Sequence, residues 1–552
     1  MCKILKLIIL IACLLILIPG IALSTTYYAC PSTVVTAGAG TRDAPWKANA
    51  INWTSVLPGD TIYLRTTLGS YNETITIGKS GTAGNYIVIA SDPIDGGKAV
   101  IDGQSTRLEG ITHSSKTYIS VKNVKIQKTT GANNRAILPG SYWKIGSGVE
   151  ISNCGAGMLY NGNVDPYVDG ITFTEVGTLI QFYNVTGTIT CKNVSAKNSS
   201  AVSGHLRVGG TSTTGVLNFE SISLDGGNAS GNGYGLLCID YGVFTGTSYI
   251  RNMSVKNSSL RGIYLSNCSG FNFYTTNSTN NALSGLGIYG GCSNIKFYGS
   301  RFDKNADDGV DFVGTSHDLD FWFCFADSNG YPIPNDPVNS GDGFSAHDTC
   351  YNINQYFCVT VGNRNSGFAH VGSSAGVLYH CTYAFNGNQA AGTNRGGILI
   401  NTTGDNPNAP VGSKSWKIKN CIGYKNYPRE LALTSYAKSS ITADYNSYRP
   451  LDDARFATYD WGGTYADVTW SAYKGTYEPN SKNEDSKVMN NGMISPKSPC
   501  VDAAPWIPGV NDSGQTDPWG KRVYGLPNIG ADQGAGMSAT GNRPSMGFRI
   551  GM

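Results

Sequence analysis

A strand-like segment ending in asparagine recurs along the chain at a period near 24 residues, and this regularity restricts the fold more than any other feature of the sequence. NMSVKN ends at Asn257, YTTNSTN at Asn280, YGSRFDKN at Asn305, FCFADSN at Asn329, CVTVGN at Asn363, CTYAFN at Asn386 and CIGYKN at Asn426, with gaps of 23, 25, 24, 34, 23 and 40 residues. Most of these asparagines are followed by Gly and an apolar-x-apolar strand, as at Gly262-Ile263, Gly285-Leu286, Gly309-Val310 and Gly367-Phe368. A fixed period of this size marks a solenoid in which each repeat stacks on the next. A coil of about 24 residues holds three short strands and three turns, and coils in register pair their strands in parallel about 4.8 Å apart. The predicted fold class is all-β, a single-stranded right-handed parallel β-helix. Equivalent residues then form ladders, and Asn257, Asn280, Asn305, Asn329, Asn363 and Asn386 are expected along one edge, because Asn bonds its neighbours above and below and tolerates left-handed φ.

Cysteine keeps the same register. Cys324, Cys358, Cys381 and Cys421 each stand five residues before a ladder asparagine, so they are expected as one interior stack of buried thiols, with a bridge such as Cys358 to Cys381 open in an oxidising compartment. No pair of cysteines or histidines has zinc-site spacing. The longer gaps are insertions, clearest at Tyr331 to Ser340. Pro45 to Leu57 (PWKANAINWTSVL) reads as a short amphipathic helix that caps the first coil against edge pairing. Residues 25–430 are assigned to the β-helix, 431–533 to C-terminal coils and irregular aromatic cover, and 534–552 to a Gly-rich flexible tail.

The chain starts with Lys3 and Lys6, an apolar run from Leu7 to Pro19, and Ala22-Leu23-Ser24 as a small-x-small cleavage site. This is the pattern of an export signal over residues 1–24, too short for a spanning helix, which predicts a secreted, extracellular protein with no membrane partner once the signal is removed. Without Lys3 and Lys6 the chain carries 39 basic and 38 acidic residues. That balance supplies no field for attracting nucleic acid, so nucleic acid is not an expected partner. Charged residues make up 14% of the chain, beside 70 Gly and 32 Tyr, the composition of turns, strands and exposed rings found in an extracellular all-β protein; a monomer is expected.

Acidic residues gather at one place: Asp303, Asp307, Asp308 and Asp311, then Asp342 and Asp348 one coil later. Aligning Gly309 with Gly343 makes Asp308 and Asp342 equivalent and puts Asp311 over Ser345 on an outward-facing position. Carboxylates stacked about 5 Å apart repel unless something binds between them, and Ca²⁺, which collects six to eight oxygens, answers that need. The plainer reading is a set of solvated turn aspartates.

The opening YYACPSTVVTAGAGTRDAPWK, then LPGDTIYLR, ETITIGKSGTAGNYIVIASDP and AVIDG, and the closing SPCVDAA and LPNIGADQG, resemble the right-handed β-helix proteins that include the family 9 polysaccharide lyases. The resemblance implies a pectate lyase-like solenoid, and Asp307-Asp308-Gly309-Val310-Asp311 matches the Asp-Asp-Gly-x-Asp calcium motif of those lyases, with Asp342 beside it. Calcium would neutralise a uronate carboxylate and acidify the C5 proton that a base removes. The lyases place a Lys base one coil beyond the motif, a position that falls here on Ser345. His347, two residues on and facing the same way, is the substitute candidate, since imidazole is a base at ordinary pH. Arg364 in the next turn is a candidate for holding a substrate carboxylate.

Gly343-Phe344-Ser345-Ala346-His347-Asp348 also resembles the Gly-Phe-Asp-Pro-His-Glu strand of alginate C5 epimerases, keeping the Gly, Phe, His and acid but losing the central Asp and Pro. Two carboxylates about 5 Å apart would also suit a retaining glycoside hydrolase, though the Gly-His-Gly of pectin hydrolases is missing. Such scaffolds host lyases, epimerases, hydrolases and non-catalytic binders alike. The expectation is a Ca²⁺-dependent, lyase-like protein acting on an acidic polysaccharide, with epimerase, hydrolase, glycan-binding and envelope roles open.

Overall fold

A computed structural model describes residues 24–34, 38–130, 135–198, 205–227, 235, 237–245, 247–330, 341–347, 349–371, 376–387, 396–401, 416–434, 441–450, 456–460, 465–478, 480–481, 483, 485–488 and 500. The export signal, the 331–340 insertion, Asp348 and the C-terminal tail lie outside them. The chain divides into two compact units, residues 1–156 with 166–172, and residues 157–165 with 173–552.

In the first unit the Thr26–Cys30, Thr61–Leu64, Ile87–Ser91, Ile119–Lys122, Lys144–Ile145 and Tyr167–Asp169 strands pair successively, all parallel. Two more parallel rows, Ala99–Asp102 to Val149–Ser152 and Ile75–Ile77 to Arg135–Ile137, complete the coils. The expected capping helix is absent. Trp46–Lys47 instead pairs in parallel with Ala29–Cys30, and a single 3-10 turn follows at Ala48–Ala50. An isolated helix this short is marginal, whereas Trp46 is buried and stacks on Tyr27 at 4.7 Å while its backbone joins the ladder.

The second unit repeats the same plan over more coils. One row runs from Ser269–Tyr274 through Ser293–Tyr298, His317–Trp322, Tyr351–Tyr356, Gly376–Tyr379 and Trp416–Lys419 to Ile441–Asp444. Another runs from Ile263–Ser266 through Leu286–Tyr289, Val310–Phe312, Phe344–Ala346, Phe368–Val371, Ile398–Asn401 and Leu431–Thr434 to Ala457–Asp460. Each unit is an all-β parallel β-helix. Alternation along the strands puts every second side chain inside. Val310, Phe312, Phe344 and Ala346 are fully buried, and Phe273, Phe297 and Phe321 stack coil upon coil at 4.6 Å. Coils continue past residue 430 through the Leu431–Thr434 and Ile441–Asp444 strands, because Leu431 and Leu433 are apolar at inward positions. The one α-helix among the described residues, Trp470–Tyr477, comes after them. No described helix is long and apolar enough to cross a membrane.

Asparagines bond one another along one edge of the second unit. Nδ2 of Asn281, Asn305, Asn329, Asn363 and Asn386 donates to Oδ1 of the next, the last to Asn426, over 2.8–3.0 Å. The row ends on a buried carboxylate, Glu430, which accepts both the backbone and side-chain amides of Asn426. Asn257 and Asn280 are not members. They occupy the preceding position, with φ of 57° and 55°, a place filled by Lys304, Ser328, Gly362, Phe385 and Lys425 in later coils. The left-handed turn and the ladder amide thus fall on successive residues. Glycine follows because the amide crowds it: a Cβ on Gly309 would lie 2.9 Å from Asn329 Nδ2 and 2.5 Å from the Gly343 carbonyl oxygen. Cys324, Cys358, Cys381 and Cys421 are buried free thiols beside this edge.

Candidate functional site

The glycine after each ladder turn sets the register of the site. Backbone bonds from Gly285 N to Asp308 O, Gly309 N to Asp342 O and Gly343 N to Ser366 O, each 2.9–3.0 Å, make Ser284, Asp308, Asp342 and Ser366 equivalent. Two positions past that glycine, Asp311 pairs with Gly287 on one side and Ser345 on the other. Side chains here point away from the Phe and Val core, so Asp311, Ser345 and, two residues on, His347 share the outer face of one sheet.

The carboxylates also serve the fold. Asp308 Oδ1 accepts the backbone amides of Gly341 (3.0 Å) and Asp342 (2.7 Å), and Asp342 Oδ1 accepts that of Ser366 (2.6 Å). Each therefore caps the turn of the coil above. Asp307 Oδ2 accepts from the Ser284 hydroxyl at 3.2 Å, but its buried Oδ1 has no hydrogen-bond partner. Burial, followed by repulsion from Asp307, Asp342 and Asp311, pushes the Asp308 carboxyl well above the ordinary carboxylate range. Burial also raises Asp311, against the opposing pull of the Tyr289 hydroxyl and of His347.

Ligand atoms of Asp308, Asp311 and His347 lie within 4.8 Å of one another. His347 Nε2 is 2.8 Å from Ser345 Oγ and 3.9 Å from Asp311 Oδ1, and Ser345 Oγ is 3.4 Å from Asp342 Oδ2. The imidazole is 40% exposed whereas Ser345 is 1% exposed, so His347 can meet a ligand and Ser345 orients it. Asp311 approaches the same ring nitrogen as Ser345, which is not the arrangement of a Ser-His-Asp nucleophile triad.

The structure brings together Asp308, Asp311, Asp342, Ser345 and His347, with Asp307 alongside. Asp303 is elsewhere, on the Arg301–Asp303 strand of another row, buried and bonded to Arg301 Nε at 2.8 Å. Arg364 is half-buried in the turn above Gly341, and no hydrogen bond or ion pair joins its guanidinium to Asp308, Asp311 or His347 among the described residues.

Two residues absent from the sequence reading belong to the site. Tyr289 donates its hydroxyl to Asp311 Oδ2, and Arg261 donates to the Tyr289 oxygen, with its guanidinium 4.7 Å from the Tyr289 ring and 4.0 Å from Asp311 Oδ2. Gly287 makes this possible: a Cβ there would lie 2.6 Å from Arg261 Cδ and 2.7 Å from Tyr289 Cε2. The signal was in the register, since Arg261 precedes Gly262 as Asp308 precedes Gly309, and Tyr289 occupies the column of His347.

No protein-family model matches the chain, and no curated protein matches it in sequence. Among solved structures, the chain is similar to pectate lyase Pel9A at 16% identity, with 93% of this chain and 97% of that one covered and a TM-score of 0.29. It is also similar to XylC in complex with xylose, at 10% identity, 92% and 98% coverage and a TM-score of 0.37. The periplasmic alginate epimerase AlgG matches at 13% identity, 66% and 79% coverage and a TM-score of 0.28. None of these likenesses bears on the chemistry of the acid cluster.

Proposed function

We propose that the protein is exported and, as a monomer, acts on a uronate-containing polysaccharide by removing the proton next to the uronate carboxylate, with His347 as base. The observation that carries this is the convergence of Asp308, Asp311 and His347 within 4.8 Å, on an outer face where only the imidazole is substantially open. Ser345, whose hydroxyl also reaches Asp342, bonds the ring at Nε2 and so orients the imidazole. In elimination, His347 takes the C5 proton, the electron pair forms a C4–C5 double bond, the C4–O bond breaks, and solvent protonates the departing oxygen. In epimerisation His347 keeps the C5 proton, solvent delivers another to the opposite face of C5, and no bond in the chain breaks.

The residues fit a hard cation. Asp307 Oδ1 is buried without a partner, and burial together with the neighbouring carboxylates raises the proton affinity of Asp308, as expected of oxygens awaiting positive charge. Asp307, Asp308, Asp311 and Asp342 would hold Ca²⁺. When bound, it would neutralise the substrate carboxylate and so favour loss of the adjacent proton. Arg261, held by Tyr289 and Asp311, stands beside the same face and supports carboxylate binding better than Arg364.

The test is a screen of uronan polymers with and without Ca²⁺, read for double-bond absorbance, reducing ends and epimer ratio. Absorbance means elimination, and an altered epimer ratio without cleavage means epimerisation. Reducing ends alone would transfer the acid pair to hydrolysis, and silence across the panel would reject proton abstraction in favour of binding.

A further inference from the structure

On the outer face of a different row of the second unit, aromatic side chains occupy one column on consecutive coils. Tyr274, Tyr298, Trp322, Tyr356 and Tyr379 are direct register partners in that order. Tyr274 and Tyr298 stack at 5.1 Å with planes 9° apart, and Trp322 and Tyr356 at 4.0 Å with planes 16° apart. Stacking covers the shared faces of these two pairs, whereas Tyr356 and Tyr379 meet edge to face, 6.1 Å apart with planes 69° apart. Among the described residues, the ring at the starting end of the column has no stacked ring before it.

Tyr274 is that end. Its register partner in the preceding coil is Arg251, which turns away to pair with Glu220, Nε to Oε1 at 3.0 Å, and lays its guanidinium 4.5 Å from the Tyr249 ring. A cleft of about 450 Å³ opens on this side of Tyr274, lined by Tyr249, Arg251, Asn252, Asn272, Tyr274 and Thr275 among others. Tyr274 is 38% exposed within it.

We infer that this cleft is a sugar-binding site, separate from the acid and imidazole cluster, in which one pyranose residue of a polysaccharide chain stacks on the open face of Tyr274. Tyr274 presents one flat aromatic ring to the cleft, so the favoured occupant is a ring with a face that packs on an aromatic. Its periphery must be polar, because amides, hydroxyls and a guanidinium surround the cleft, and an apolar ring would strip water from them without replacing its hydrogen bonds. A pyranose meets both conditions, its C–H face on Tyr274 and its hydroxyls toward Asn252, Asn272 and Arg251. Such a site would hold a polymer on the protein whatever chemistry occurs elsewhere on it.

The experiment is native electrophoresis of the full chain through gels containing polygalacturonate, alginate or xylan. Wild type is expected to be retarded by at least one polymer, and Tyr274→Ala to weaken that retardation about tenfold or more in apparent Kd with an unchanged Tm. His347→Ala and Asp308→Ala should be retarded like wild type. Should Tyr274→Ala melt early, Asn272→Ala replaces it, with the same loss expected. Retardation lost with His347→Ala or Asp308→Ala but kept in the cleft variants, or no retardation of wild type by any polymer, overturns the assignment. Tyr274-dependent binding by a protein silent in every activity assay would leave this site standing and reject only the proton-abstraction proposal.

Discussion

Ser345 sits directly over Asp311 on the adjacent coil, and its hydroxyl lies 2.8 Å from Nε2 of His347. Ser345 and His347, facing the same way, thus stand over a carboxylate of the coil below, with Nε2 3.9 Å from Asp311 Oδ1. An orienting serine, an exposed imidazole and a buried acid are thereby set within one sugar's reach.

Replacing His347 with Ala is expected to lower kcat on the responsive polymer by about 10²- to 10⁴-fold and to leave Ca²⁺ binding intact by calorimetry. Ser345→Ala keeps the base but frees its ring, so it should lower kcat less and hardly change KM. Unaltered turnover in His347→Ala would remove the base assignment, and lost Ca²⁺ binding would make His347 a ligand instead.

Asp308→Ala is expected to abolish both Ca²⁺ binding and activity, and chelation of wild type should silence it until Ca²⁺ is restored. The variant also strands the amides of Gly341 and Asp342, at about 1–3 kcal/mol of stability. Normal Ca²⁺ titration of Asp308→Ala would show that the carboxylates only cap turns.

Gly287→Ala should fold, because the backbone there needs no left-handed φ, yet its methyl would take the place of Arg261 Cδ. Displacing Arg261 from Tyr289 and Asp311 is expected to raise KM for the uronate substrate more than it lowers kcat. An unchanged KM would exclude Arg261 from substrate binding.

Asn305→Ala is expected to cost about 1–3 kcal/mol without touching a ligand. The change removes the acceptor of Asn281 and the donor to Asn329, both fully within the interior. Unchanged denaturant unfolding would show that the ladder bonds contribute nothing.

Glu430, wholly buried at the end of that ladder, has its carboxyl pushed up to about 8 by burial, against the pull of the Asn426 amides. In the unfolded chain it ionises near pH 4.5. The folded state therefore binds the extra proton between those values, and stability should fall as pH rises through that window, by on the order of a few kcal/mol. Glu430→Gln should flatten this slope in melting curves recorded from pH 5 to 8, and an identical slope would show that Glu430 does not titrate with folding.

The period near 24 residues and the inside-outside alternation were enough to determine the parallel β-helix, because a repeat that cannot bury its apolar face alone must stack on its neighbours. Register followed from the same pattern: with Gly309 and Gly343 aligned, Asp311 falls over Ser345 and His347 faces the same way. The exact ladder position did not follow, since Asn257 and Asn280 look like Asn305 in sequence, and only the backbone separates the left-handed turn residue from the amide that comes after it. The expected N-terminal helix failed for a related reason, as Trp46 found a ring to stack on and a strand to join. Arg261 and Tyr289 entered the site, and Tyr274 acquired its open face, through side-chain directions across coils: a guanidinium passing over Gly287, and another turning back to Glu220. Those directions depend on which neighbour is small and which is charged one coil away, contacts between residues more than twenty positions apart that only the stacked structure brings together.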